Sequence, residues 1–329
     1  MKTISVGTAA LVPAMLITFA ANSATSGTWQ NRPNVDEGRV FQNNRPSSSG
    51  KSKPRARPAY HMVTARTTEG TGVAAEVGVT IFQETEGMRL LQQKSGGGEL
   101  LHEKAQPGGA PTTGAAKKEM PKGPGGDSVE EHVWKRVEST AQLSGGDRLR
   151  LTVEAPVPGF LYVIDREKFV DGSVGDPLLI FPTNRINGGD NKVAPGRLVE
   201  IPSRDDKPPY FTFVTSRKGA THIGDVITLI VAPEPMAGLP PLESNPIRLA
   251  PDQFSTWEKK WGGQTERYEM AGGAGQLWTK EEQSAGVNGG PSLTENSPLP
   301  QTIYRVWKKP GEPILITVPL VLSKTPSHS

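Results

Sequence analysis

Cysteine is absent from the 329 residues, and histidine occurs only five times. Without cysteine there is no disulfide framework, no lipid-carrying cysteine and no thiolate chemistry. The histidines, at positions 61, 102, 132, 222 and 328, lack the paired spacing of a zinc site. His61 and His328 fall in segments with little to bury, and His222 sits beside a turn. No Gly-x-Ser-x-Gly elbow occurs, so familiar signatures of covalent hydrolysis are missing, although a Ser-His-Asp triad drawn from distant residues leaves no local pattern. Gly50-Lys51-Ser52 is not a phosphate loop: Arg45 stands where the leading glycine belongs, and no strand precedes it.

Apolar residues are also scarce at 35%, whereas glycine (37) and proline (30) are abundant. That balance keeps part of the chain out of any core and favours loop-rich β structure elsewhere. The first 23 residues read as an export signal: Lys2, an apolar body over 4–21, and a small-residue cleavage site at Ala21-Asn22-Ser23, with cleavage near Ser23. As an uncleaved anchor the body is short and soft, because Pro13, Thr3, Ser5 and Thr8 interrupt a span that must cross roughly 30 Å. The expected location is the periplasm or the exterior of a bacterium, with no membrane span after cleavage. Lacking disulfides, such a protein holds together by burial alone.

Charge is unevenly distributed. Residues 32–66 carry eight Lys or Arg against Asp36 and Glu37; setting these and Lys2 aside leaves 28 basic and 32 acidic residues, a body of net −4. The stretch 24–72, with "NNRPSSSGKSKPRARP" inside it, reads as a disordered basic tether rich in Pro, Ser and Arg. Export and the scarcity of aromatics for base stacking argue against nucleic acid. Weak attraction to anionic envelope polymers is the other reading.

Residues 73–322 form the expected β-rich domain, interrupted by a Gly/Pro-rich loop at 104–127 and followed by a flexible tail at 323–329. Val77, Val79 and Ile81 alternate as in a strand, which needs partners to be stable. "DRLRLTVEA" places Leu149, Leu151 and Val153 inward and Arg148, Arg150 and Thr152 outward. "GFLYVID" is apolar on both sides, as in a central strand; "PLLIFPT", "RLVEIPS", "YFTFVTS" and "DVITLIVAP" follow between turn residues. "QTIYRVWKKPGEPILITVPL" reads as a hairpin turning near Pro310-Gly311. Two short helices are expected: "APDQFSTWEKKWGG", with Phe254, Trp257 and Trp261 on one core-facing stripe, and "TKEEQSAG", opened by a Thr279/Glu282 capping box. The fold class is all-β: a β-sandwich, immunoglobulin-like or related.

The order "GDRLRL…GFLYVIDRE…GDPLLIFPT…GGDN…PGRLVEIP…YFT", over 147–231, resembles the bacterial domain-of-unknown-function family 4384. The later "WEKKWG", "GGAGQLWT" and "QTIYRVWKKPGEP" look like exported proteins carrying that domain. The resemblance implies a β-rich module found alone or beside peptidase-like or kinase-like partners, with no catalytic residues to carry over.

Candidate chemistry concentrates after "LYVID". Asp165 and Glu167 are two apart at a strand end and can share a face, as a glycoside-cleaving pair requires; the competing reading is surface pairing with Arg166, Lys168 or Arg150. Asp171, Asp176, Asn187, Asp190 and Asn191 offer hard oxygens for calcium from two neighbouring loops, without EF-hand spacing. The preferred reading is that Asp-Gly and Gly-Asp simply turn the chain, calcium being the one alternative and no other cofactor being expected. The loop 183–196, with Asn184 and Arg185 beside those Asn and Asp residues, is the expected binding surface. The functions that follow are a non-catalytic module binding a protein or cell-envelope polymer, a hydrolase of envelope polysaccharide or peptide using Asp165, Glu167 or Asp176, or, between the two, a calcium-stabilised accessory module for a partner enzyme in trans.

Overall fold

The computed structural model describes residues 39–48, 58–64, 72–85, 133–214 and 222–323, all within one unit spanning 32–329. The leader, the 104–127 loop and the last six residues lie outside the described residues. Two sheets pack face to face, and strands are numbered along the chain. Sheet A contains β1 (Tyr60–Thr64), β2 (Val73–Thr85), β3 (Val133–Val137), β5 (Arg148–Glu154), β9 (Leu198–Ile201), β10 (Phe211–Thr212), β13 (Thr265–Met270) and β14 (Thr302–Lys308). Sheet B contains β4 (Gln142–Leu143), β6 (Gly159–Phe169), β7 (Leu178–Phe181), β8 (Lys192–Val193), β11 (His222–Ala232), β12 (Ile247–Arg248) and β15 (Ile314–Leu322). The fold is an all-β sandwich. Among these strands the parallel pair is β4 with β15.

Alternation explains the central layer. Val77, Val79 and Ile81 of β2, each at most 3% exposed, meet Leu149, Leu151 and Val153 of β5 and Leu161 and Val163 of β6 in one cluster. Strand β2 does find its partners, lying between β14 and β5. The β6 segment is central, with β7 and β11 on either side. Its alternate residues Tyr162 and Ile164 face the outside of sheet B, where the helix α2 (Pro251–Trp261) covers them with Phe254 and Trp257. The expected stripe is therefore core-facing, and Arg166 is held over the Phe254 ring at 4.5 Å while pairing with Glu258.

Two expectations are corrected. The segment around Pro310-Gly311 turns, but β14 joins sheet A and β15 joins sheet B, so it is an arch over the sandwich rather than a hairpin. Tyr304, Val306, Ile314 and Ile316 all enter the same inner cluster, which requires the two strands to face one another across it. Likewise Arg150 and Thr152 are not outward in solvent: both are buried, because the outer face of sheet A is covered too. Its cover includes helix α3 (Lys280–Ala285), Leu293, Leu299 and two pieces of the segment expected to remain unstructured.

Those pieces are α1 (Arg39–Asn43) and β1, in which His61 lies paired opposite Glu269. Phe41 seats on Gly78 of β2, where an added Cβ would stand 2.6 Å from the Phe41 ring. Arg45 is buried and bonds both oxygens of Glu154 at 2.7 Å. The rest of 24–72 lies mainly outside the described residues.

The interface beneath this cover is unusually ionic. Arg136 pairs with Glu282, Arg150 with Glu200, and Arg305 with Glu76. Thr279 and Glu282 make the expected capping box, so Glu282 serves both α3 and Arg136. Thr279→Ala is expected to cost about 1 kcal/mol, read as a lowered urea midpoint with an unchanged slope.

Candidate functional site: an acid-lined mouth of the sandwich

The inner face of β6 runs Leu161, Val163, Asp165, Glu167, Phe169, so its pattern changes from apolar to acidic while the strand continues. The antiparallel partner β11 does the same in reverse. Glu167 stands opposite Asp225, and Asp165 opposite Ile227, whose side chain still belongs to the core. A bulge between His222 and Gly224 then resets the register and places His222 opposite Phe169. Gly224 permits this at φ +145°; a Cβ there would meet the Leu320 carbonyl oxygen at 2.0 Å. Three carboxylates are thus gathered where the two sheets part.

Sheet A closes the other side with β10 and its continuation, Thr212 to Val214. Between them lies a cleft of about 630 Å³, walled by Asp165, Glu167, Asp225, Phe169, Leu178 and Thr212. His222 is 6% exposed and Asp225 9% exposed; their Nε2 and Oδ1 are 3.0 Å apart. The His222 ring sits between Phe169 and Phe213, with centroids 6.1 and 6.3 Å away. Asp165 is half-buried, with its Oδ1 sealed from solvent and lacking a hydrogen-bond partner. Burial, then the Asp225 and Glu167 charges, push its carboxyl up to about 7. Burial raises Asp225 too, against the pull of His222.

The expected surface pairing of Asp165 and Glu167 is not formed. Arg166 points through the other face to Glu258, and Arg150 is held by Glu200 on the far side of sheet A. Among the described residues no cation pairs with Asp165 or Glu167. The nearest cation on the cleft wall, Arg248, is engaged with Asp176 at the exposed rim.

The seven residues proposed as a binding loop divide between two ends of β6. Asp171 accepts hydrogen bonds from the Ser173 amide and hydroxyl in the β6–β7 turn, which hold its carboxyl below the usual range. Asp176 lies on the cleft rim nearby. The others are placed by Asn191, whose amide donates to the Leu161 carbonyl near the opposite end of the strand. Asn184 donates to the Leu242 carbonyl, Asn187 to the Asp190 carbonyl, and Asp190 pairs with Arg197; Arg185 is exposed. At about 3.3 Å per residue the two groups are roughly 20–30 Å apart, so the structure does not bring them together as one ligand set. Their polar atoms are largely used in shaping their own turns, as the turn reading requires. Among the described residues no group of three or more His, Asp or Glu is arranged to hold a metal ion.

Two participants were missed in the sequence, Asp225 and His222. "HIGD" looks like the start of a strand, and only the bulge at Gly224 turns its His and Asp to one side. A second cavity, about 430 Å³, opens on the cover of sheet A among Gln42, Met270, Gln276 and Leu299. Its buried cation, Arg136, already pairs with Glu282 and donates to the Leu299 carbonyl, with its Nε alone left without a partner among the described residues. Unspent charge belongs to the first cleft. No described helix is long and apolar enough to cross a membrane. Set against family models, curated proteins and solved structures, the chain matches none of them.

Proposed function

We propose that the chain is an exported, non-catalytic β-sandwich module that binds a protein or cell-envelope polymer through the acid-lined mouth of the sandwich. The observation that carries this reading is the set of three carboxylates facing an open cleft, two of them without a paired cation among the described residues. Like charges placed opposite one another in a sheet are destabilising, and such arrangements cluster at functional sites. The export-like leader and the resemblance over 147–231, which no family model matches, belong to the same proposal.

The test is cosedimentation of the mature protein with its own envelope fraction. Val174→Arg at the mouth is expected to abolish binding, whereas Leu242→Arg, beside the 183–196 loop, leaves it intact. Loss only with Leu242→Arg would move the contact surface to that loop.

The raised carboxyl of Asp165 favours a second reading, a hydrolase in which Asp165 donates a proton to a leaving group. Release of soluble fragments from envelope polysaccharide or peptide, lost in Asp165→Asn and Glu167→Gln, would establish it over the first.

A further inference from the structure

We infer that the mouth receives a basic peptide segment, with a lysine or arginine side chain entering among Asp165, Glu167 and Asp225 and apolar neighbours resting on Val174 and Val214. This deepens the binding reading and rests on it.

Charge sets the class of ligand. Among the described residues Asp165 and Glu167 on the inner wall have no paired cation, and Asp225 pairs with His222. Among the described residues Arg248 is the one cation on the wall, and it is held at the rim by Asp176. An anionic polymer would meet these carboxylates as like charges, with no compensating cation among the described residues except Arg248 at the rim. Asp165 supplies the second observation: its carboxyl lines the cleft while its Oδ1 finds no donor among the described residues, a deficit that an N–H brought to this carboxyl reduces.

Shape narrows the class further. Phe169 and Leu178 line the passage to the carboxylates. Such walls suit the aliphatic stem of lysine or arginine, which buries its methylenes while its head finds charge. A bare polyamine or metal ion makes no use of them.

The rim supplies the peptide component. Val214 is 61% exposed and Val174 44% exposed, and both line the cleft. Val170 (68%) and Ile223 (37%) adjoin Phe169 and His222 in the chain. Exposed apolar side chains scattered singly mean little, but Val174 and Val214 share the wall of one charged opening, which marks a contact surface. A neutral glycan would instead want an exposed aromatic platform, and Trp257 of α2 is buried against sheet B.

The experiment is fluorescence anisotropy with the mature chain and a labelled twelve-residue peptide alternating arginine and valine. Its controls are the same peptide with glutamate for arginine, and with serine for valine. Wild type is expected to favour the first peptide over both controls, with affinity falling steeply as salt rises. Asp165→Asn/Glu167→Gln is expected to weaken binding about tenfold or more, as loss of a charge partner does. Val174→Ser/Val214→Ser, on the surface and so without risk to folding, should weaken it several-fold. Unchanged affinity in the acid double variant, its fold verified by melting, overturns the inference. So does equal binding of the glutamate or serine peptide. Failure here with intact, Val174→Arg-sensitive envelope binding leaves the mouth as the contact surface and removes only the basic peptide. Loss of both removes the parent reading.

Discussion

Asp165→Asn is expected to stabilise the protein at pH 8, and the gain is expected to shrink steadily as the pH falls from 7 toward 4. In the unfolded chain this carboxyl titrates at its ordinary value of 3.8, whereas the fold pushes it up to about 7, first through burial and then through Asp225 and Glu167. Between those values the unfolded chain has released a proton that the folded chain still holds, so folding becomes harder as pH rises. The penalty is complete above about pH 7 and absent well below 4. Three units correspond to about 4 kcal/mol. Partial exposure of the residue reduces this to an expected gain of about 2–4 kcal/mol, or on the order of 5–10 °C in melting temperature. Glu200, also pushed up to about 7 by burial, adds a pH dependence of the same sign. It is common to both proteins and cancels when variant and wild type are compared at each pH. A gain independent of pH would show that Asp165 is unstrained and that the site holds no spare charge.

This result bears on function because stability sacrificed at one place needs a use. An asparagine at 165 would serve the fold better than the aspartate present, and the same substitution is expected to weaken capture of an arginine peptide. Opposite signs in the two measurements, one for folding and one for binding, are the mark of a group retained for contact. A ligand cation also competes with the proton on Asp165. The groups facing this carboxyl are Glu167 on β6, Asp225 and His222 on β11, and Asp176 with Arg248 at the rim.

Local patterns were read well and their assembly less so. Alternation in β2 and β5, the stripe on α2 and the Thr279/Glu282 box each depend on a few neighbouring residues, and each is present in the structure. The arch at Pro310-Gly311 was not legible, because a turn between two strands has the same sequence whether they pair side by side or face across a core. Arg150 and Thr152 looked solvent-facing because a polar residue on a strand signals water only when nothing covers that face. Here Glu200 and Trp134 receive Arg150, from 50 and 16 residues away. At the candidate site, Asp165 and Glu167 were visible as a same-face pair. Their partner Asp225 depends on strand register, and their freedom from cations depends on where Arg166 and Arg150 go.

Arg45→Ala is expected to cost about 3–5 kcal/mol, the usual consequence of stripping one partner from a buried ion pair. Arg45 comes from the stretch that composition marks as tether, yet its side chain is 1% exposed and that of Glu154 3%. It bonds both Glu154 oxygens, and also the carbonyls of Thr294, Ser297 and Pro298. Five acceptors on one side chain join three distant parts of the chain: α1, the central strand β5, and the crossing that leads into β14. Without it, Glu154 is left charged beneath the cover of sheet A, and three carbonyls lose their donor. Adding Glu154→Gln should recover part of the loss, since the buried charge goes while the carbonyls stay unmet. The pair of variants is read by urea denaturation, with near-ultraviolet circular dichroism reporting the packing around Trp134 and Trp278. A loss below about 1 kcal/mol, the range of exposed pairs, would mean that residues 39–48 only rest on the sandwich. The expected larger loss makes them part of it, and the basic composition of this stretch is then partly the requirement of one buried arginine.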